Sequence, residues 1–444
     1  MSAADGPLRG GEAALQKAMG VRALAATTFN VMIGGGIFLL PAVAAAGVGA
    51  AAPLVYLICA LAMGLIVLCF AQAGSRVSLT GGPYAYVETA FGSYGGFIAG
   101  VLVWLLGTLA TAAVASGFAG SIGVLWAPAS SPAARALLLA AMLGFLALVN
   151  VRGVQRGSRL IEVITVAKLL PLVFFVVVGA FFVRVEHLRW ADSPSIAELG
   201  RVAVQLMFAF AGLESALVPS GEVRDPARTV PRALLIAMLT VMSLYVCIQL
   251  VAQGTLGVRI AEATDAPLAE AARTFTGSAG AMILLVGASI SMFGHVSGMT
   301  LATPRALFAL GRDGFLPARV AAVHPRFHTP HIAIILQAAI VFAMATSGSF
   351  ARLFVLATVA VLVLYLLCCA AAWELGRRDV RTDGTPFRIP GGALVPVLAV
   401  LVILWLLSSA TLEELGAVGA VLAVASLVYV ITASRRRQLA LDRQ

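Results

Sequence analysis

The sequence predicts an all-α polytopic membrane protein, on three observations. Its 444 residues are 61% hydrophobic and 11% charged, with mean hydropathy +1.00, whereas a soluble domain carries about 25% charged residues. Apolar runs of about 20 residues, the length a helix needs to cross a bilayer, recur along the chain. Two of those runs are interrupted by glycine in mid-membrane. Spans in lipid are helices or closed barrels, and runs of this length read as helices.

Twelve runs are expected to span, near 22–46, 52–75, 96–126, 134–150, 159–183, 199–219, 231–256, 277–311, 331–347, 350–376, 392–411 and 414–433. Residues 1–21 are read as a cytoplasmic N-terminal segment, 22–376 as a ten-helix core, 392–433 as two further helices and 434–444 as a cytoplasmic basic tail. The polar stretch Ser2 to Lys17 leads into a run too long for a cleavable signal peptide. It is expected to lie on the membrane surface as a short amphipathic helix.

With the N-terminus inside, 22 basic residues fall in cytoplasmic segments and 7 in outer ones. This asymmetry puts both termini in the cytoplasm. The net charge of +10 is thus a topology signal and not a nucleic-acid footprint. Among 30 basic residues arginine dominates, which points to a GC-rich bacterial genome and to the plasma membrane. The Arg435–Arg437 tail is a topology anchor that would also attract anionic lipid.

The first run holds Gly34, Gly35 and Gly36, with Pro41 a turn later. Each glycine costs a helix about 1 kcal/mol relative to alanine, so the helix is expected to open there. An opened backbone in lipid is tolerated only where it is buried or lines a cavity. In the fifth run Lys168 is the remaining basic residue, about nine residues or roughly 13 Å from the nearer edge. A lysine that deep faces the protein interior and marks function.

The sixth run repeats the interruption at Phe208-Ala209-Phe210-Ala211-Gly212-Leu213-Glu214-Ser215. Runs 1 and 6 head two units of five spans, 1–5 and 6–10, and an odd number of spans makes the second unit inverted relative to the first. Paired interruptions in inverted halves point to a secondary transporter's site at the midplane. Freed N–H groups at Gly34, Gly35 and Gly36 head a new half-helix that suits a carboxylate. Freed carbonyls around Met32, Ile33, Phe208 and Ala211 suit an ammonium. A zwitterionic α-amino acid carries both groups.

Other residues exclude other chemistry. Cys59, Cys69, Cys247, Cys368 and Cys369 lie in apolar runs without metal-ligand spacing and read as packing residues. His324, His328 and His331 sit in a basic loop, so no metal and no cofactor is expected. No phosphate-binding loop is present, which argues against ATP-driven transport by this chain. An intramembrane enzyme would need a nucleophile–base pair or metal ligands within the bilayer. A channel is the other competing class, and saturable counterflow separates it from a carrier.

These pieces resemble the amino acid–polyamine–organocation superfamily of transporters, which share the leucine-transporter-like fold. The resemblance runs from about residue 20 to 435. It rests on Gly34-Gly35-Gly36-Ile37-Phe38, Gly81-Gly82-Pro83-Tyr84-Ala85-Tyr86, Ala90-Phe91-Gly92 and Phe210-Ala211-Gly212-Leu213-Glu214. Further pieces are Gly221 to Pro226, Pro231-Arg232-Ala233, Arg305 through Arg312 to Pro317, and Pro386 to Gly391. It implies a carboxylate on the span 1 glycines, an ammonium on the carbonyls near Met32, Ile33, Phe208 and Ala211, and Phe208 as an aromatic gate. Relatives often carry serine where Gly35 stands, so here backbone alone would hold the carboxylate.

Lys168 matches a span 5 lysine that replaces sodium in many relatives. The resemblance therefore implies sodium-independent transport, by proton symport or by exchange, and symport is the reading adopted. Thr111, Phe208, Phe210, Met299 and Thr358 are the selectivity candidates, and an apolar neutral pocket favours neutral amino acids over cationic amino acids or polyamines. Glu214 is expected to be structural, pairing with a basic group or capping the opened helix. Glu222, Arg224, Asp225 and Arg228 are expected to form an inner-gate or loop ion-pair network, with a solvated face as the equal alternative. Glu88 with Arg305 is expected to form a similar cytoplasmic pair, and His295 to be an uncharged, hydrogen-bonded histidine packing between helices.

Overall fold

The computed structural model describes residues 19–432 except 80, 153, 191–192, 219, 221–222, 328, 349 and 382–383, and the side chains of 154–163 and 350–352 are also undescribed. The expected surface helix, the basic tail and Glu222 lie outside the described residues. Fifteen α-helices are described, and no strand among them. A lone parallel bridge joins Met19 to Val223.

In chain order the helices are α1 Val21–Met32, α2 Gly36–Val48, α3 Ala52–Arg76, α4 Pro83–Phe91, α5 Ser93–Leu125, α6 Pro132–Val151, α7 Val154–Gly179 and α8 Ile196–Phe210. They continue as α9 Leu213–Ala216, α10 Pro226–Leu256, α11 Pro267–Arg312, α12 His331–Ser347, α13 Phe350–Arg377, α14 Leu394–Ser408 and α15 Leu412–Ile431. Helix fills each of the twelve apolar runs marked in the sequence, but the runs are not uniform. Among the described residues nine helices are long and apolar enough to cross a membrane, with α2 and α3 counted as one segment, and α12 and α14 are shorter apolar helices. The difference from twelve arises because the first run is cut by its glycines into 12- and 13-residue pieces, and α12 and α14 have 17 and 15 residues.

Many large apolar side chains are exposed and several polar ones, Lys168 and Glu214 among them, are buried, unlike the pattern of a water-soluble bundle. On α7, Val166, Leu170, Val173 and Val177 are exposed at helical spacing, while Lys168, Leu172 and Phe175 are fully buried on the other side. The same helix thus offers lipid a hydrocarbon stripe and the interior an ammonium. Inside, α3 packs on α10, α5 on α11 and α13, and α7 on α11. Between helices in lipid the association comes from close packing rather than from exclusion of water.

Termini are capped where the sequence supplies the residues. Ser195 and Glu198 form a reciprocal capping box on α8, and Thr411 and Glu414 form one on α15. Glu414 also holds both nitrogens of Arg201, at 2.8 and 2.9 Å, joining the two caps. At the far end of α3, Gln72 donates to the Ala372 carbonyl at 2.8 Å and accepts from the Ile389 N–H at 3.2 Å. Ser75 accepts from the Phe387 N–H at 3.0 Å. Arg76 meets Asp379 at 3.1 Å. The Pro386 to Gly391 segment is therefore docked on α3, between α13 and α14.

Candidate functional site

Two helix breaks face each other in the core. The first lies between α1 and α2: Ile33 leaves helical geometry (φ −79°, ψ 85°), and α2 restarts at Gly36. The Gly34 N–H folds back onto the Met32 carbonyl at 3.0 Å. The second lies between α8 and α9, where Ala211 is extended (φ −69°, ψ 157°) and Gly212 has φ +126°. A side chain is strained at that φ, and a Cβ there would also stand 3.0 Å from Val31 Cγ1. The breaks touch through glycine: a Cβ on Gly36 would stand 3.1 Å from Ala209 Cα.

Opening α1 frees carbonyls that must find donors in a dry interior. Lys168 Nζ on α7 donates to the Asn30 carbonyl at 2.6 Å and to the Ile33 carbonyl at 2.7 Å. His295 Nδ1 on α11 is 2.8 Å from the Val31 carbonyl. Ser291, one turn earlier, shares its hydroxyl proton between the Ile33 and Gly34 carbonyls at 3.1 Å. Tyr245 on α10 donates to the Met32 carbonyl at 3.1 Å. Three helices thus supply side chains to five consecutive carbonyls. At the second break Glu214 accepts from the Gly212 N–H at 3.1 Å and from the Tyr365 hydroxyl at 2.7 Å.

Between the breaks is a small cavity. Met32, Gly34, Gly35 and Gly36 wall it from the first break, and Phe208, Ala211, Gly212 and Glu214 from the second. Leu106, Ala110 and Val114 of α5 and His295 and Met299 of α11 close it. Space for the centre of a water-sized sphere is about 20 Å³, room for one or two waters. The Phe208 ring packs 5.6 Å from Phe354 across the second break. A larger crevice of about 440 Å³ runs along the same broken helices, between Ala42–Gly47 of α2 and Glu198–Gln205 of α8.

The structure brings Met32, Gly34, Gly35, Gly36, Phe208, Ala211, Met299 and Glu214 together on the cavity wall. Ile33 is buried beside them with its carbonyl on Lys168 and Ser291. Of the glycine N–H groups, Gly34 is engaged with Met32, while those of Gly35 and Gly36 have no acceptor among the described residues. Thr111 and Thr358 do not line the cavity. Each bonds to its own helix, at the Gly107 and Phe354 carbonyls. Phe210 packs behind the break against Tyr245, ring centroids 5.2 Å apart.

The remaining candidates lie elsewhere. Arg224 is exposed and its backbone N–H donates to the Met19 carbonyl at 2.9 Å. Asp225 and Arg228 form an exposed pair 3.9 Å apart. Arg305 bonds to the Leu301 carbonyl, and Glu88 has Tyr84, Asp313 and Arg312 around it. Burial, followed by the Asp313 charge, raises the Glu88 carboxyl above its ordinary value. The hydrogen bond expected of His295 is present, on the Val31 carbonyl. Sequence reasoning missed Tyr245, Ser291, Tyr365 and Asn30. Their signal is spacing: Ser291 and His295, four apart on an apolar helix, share one face.

The comparisons with known proteins bear on this arrangement. Residues 19–432 match the family model described as amino acid permease. An uncharacterized transporter of Mycobacterium tuberculosis is 29% identical, covering 94% of this chain and 91% of its own. The serine/threonine exchanger SteT of Bacillus subtilis is 26% identical over 90% of this chain and 92% of its own. The methylthioribose transporter of Bacillus subtilis is 27% identical over 85% of each.

Proposed function

The chain belongs to the amino acid permease family, and from that premise we propose that it carries neutral amino acids across the plasma membrane by alternating access, sodium-independently and in symport with protons. The observation that carries the reading is the meeting of two broken helices at a buried cavity, with the Lys168 ammonium on the carbonyls of Asn30 and Ile33. The ammonium stands where a coupling cation would find those carbonyls, and a lysine in such a place can load and release a proton. Twelve spans, both termini in the cytoplasm and a five-plus-five inverted repeat belong to this proposal. The packing of α3 on α10 and of α5 on α11 supports it.

In this reading the Gly35 and Gly36 N–H groups, at the head of α2, take the substrate carboxylate. The carbonyls of Phe208 and Ala211 at the second break take the ammonium, since Met32 and Ile33 each already accept from two donors. Leu106, Ala110, Val114 and Met299 offer the side chain an apolar wall. Phe208 closes over the substrate, and the crevice between α2 and α8 is the way in. Arg224, with Glu222, belongs to the inner gate.

Exchange is the second reading, favoured by the name of the serine/threonine exchanger among the relatives. Uptake of labelled amino acids into proteoliposomes separates the two. An imposed inward proton gradient drives accumulation in a symporter, whereas an exchanger requires internal amino acid. Stimulation by a sodium gradient alone would contradict both. Transport of methylthioribose but of no amino acid would move the substrate class to that of another relative.

A further inference from the structure

His295 holds an unfilled acceptor beside the cavity, in addition to the carbonyls of the second break. It is buried on α11 and lines the cavity. Its Nδ1 is 2.8 Å from the Val31 carbonyl. A carbonyl only accepts, so the ring hydrogen is on Nδ1. In a neutral imidazole with that tautomer, Nε2 carries a lone pair and must accept. Nε2 is buried and has no hydrogen-bond partner. A buried acceptor without a donor costs about 1–3 kcal/mol, so a donor is missing from the ring's surroundings.

The carbonyls of Met32 and Ile33, which an incoming ammonium would otherwise seek, are both engaged, by Tyr245 and the Gly34 N–H and by Lys168 and Ser291. An α-ammonium brings three N–H donors into the cavity. Resting on the amino-acid reading above, we propose that His295 Nε2 accepts one of them and so stands in for a carbonyl of the first break. His295 is then a substrate-binding residue on α11 whose second nitrogen is held in place by Val31. Its acceptor favours substrates that keep a hydrogen on the α-nitrogen.

Two substitutions separate the two nitrogens. In His295→Asn the amide N–H₂ takes the place of Nδ1–H toward Val31, and nothing replaces Nε2. In His295→Leu both are lost. The assay is uptake of each of the twenty labelled L-amino acids into proteoliposomes, with the melting temperature of the substrate-free protein measured alongside. For the amino acids the wild type carries, His295→Asn is expected to raise KM about ten- to hundred-fold, with Vmax and melting temperature near wild type. His295→Leu should raise KM as much and also lower the melting temperature.

An unchanged KM in His295→Asn overturns the inference, whatever its melting temperature. So does a raised KM accompanied by the melting loss of the Leu variant, because the ring would then act only as a tie to Val31. A carboxylic acid of the same side chain without the ammonium, used as a competitor, should keep its inhibition constant in His295→Asn. A parallel rise would place the contact on another substrate group and overturn the assignment to the ammonium. A wild type that carries none of the twenty refutes the amino-acid reading itself, which the variants cannot do.

Discussion

Alanine at each of the three glycines should give three different results. A Cβ on Gly36 would lie 3.1 Å from Ala209 Cα and 3.3 Å from its Cβ, inside the 3.5–4.0 Å optimum for carbon pairs. Ala209 Cα is backbone and its Cβ moves only with it, so α2 and α8 must part by about half an ångström. Overpacking of that kind costs about 1–3 kcal/mol, less the 0.5–1 kcal/mol by which alanine favours the helix. At Gly34 the Cβ would lie 2.9 Å from His295 Nδ1, a nitrogen pinned to Val31. At Gly35 its three nearest atoms would all belong to Met292, at 3.4 to 3.6 Å, a flexible thioether side chain that can give.

Gly36→Ala and Gly34→Ala should therefore lower the melting temperature of the purified protein and slow counterflow about five- to hundred-fold. Gly35→Ala should stay within about 1 kcal/mol and keep most of its counterflow, because its N–H remains available. The assay is labelled amino-acid counterflow in proteoliposomes with thermal denaturation in detergent. Wild-type melting and counterflow in Gly36→Ala would refute the close approach of the two breaks. Equal damage from Gly35→Ala would refute the steric ranking and leave backbone conformation as the cause.

Three further outcomes follow from other contacts. Lys168→Met keeps the length of the side chain but removes the ammonium from the Asn30 and Ile33 carbonyls, and gradient-driven accumulation should fall at least tenfold; full accumulation would remove lysine from the coupling. Tyr365→Phe leaves Glu214 with one described donor fewer, a loss of about 1.5–3 kcal/mol for a hydrogen bond to a charged group, read as a lower denaturation midpoint, and an unchanged midpoint would show the carboxyl bound elsewhere. The Arg381 and Arg76 guanidiniums hold the Asp379 carboxyl down to about 2. Their tie is then fully present above the ordinary value of 3.8 and is lost as pH falls from there through about 2. Cleavage by pepsin between α13 and α14 should rise from pH 4 to pH 2, and a flat profile would refute the tie.

The features read correctly in advance are those whose cause is local. Three glycines weaken a helix wherever they stand, and α1 does end at Met32; an ammonium deep in an apolar run must turn inward, and Lys168 does. Partners are not local, which is why Lys168 on Asn30, 138 positions away, and Tyr245 on Met32 were not legible. Residue type also says little about what a hydroxyl chooses. Thr111 and Thr358 satisfy themselves on the preceding turn of their own helices, a bond always within reach, whereas Ser291 has two freed carbonyls in front of it and takes both. Glu214 was placed at the break as a cap, and it does accept from Gly212, but its second partner proved to be a tyrosine rather than a basic residue. The count of long apolar helices falls short of twelve for two reasons: the first break shortens α1 and α2, and α12 and α14 are short without a break.

The two breaks are tied unequally, and that inequality constrains how the site can open. The first is held by side chains of α7, α10 and α11, and two of its bonds come from an ammonium. The second is held, among the described residues, by the bonds of Glu214 to Gly212 and Tyr365. Parting Lys168 from the carbonyls of Asn30 and Ile33 without replacement would cost about 1.5–3 kcal/mol for each bond, and only water reaching the ammonium can offset it. Until water arrives α1 and α7 must therefore move as one body, while no described charged bond joins α8 to α2; the Arg201–Glu414 pair of α8 goes to α15. In the cycle proposed above, closure over a substrate would belong to the second break and the Phe208 ring, and release on the other side to the first break, where the lysine would be uncovered only as α1 leaves.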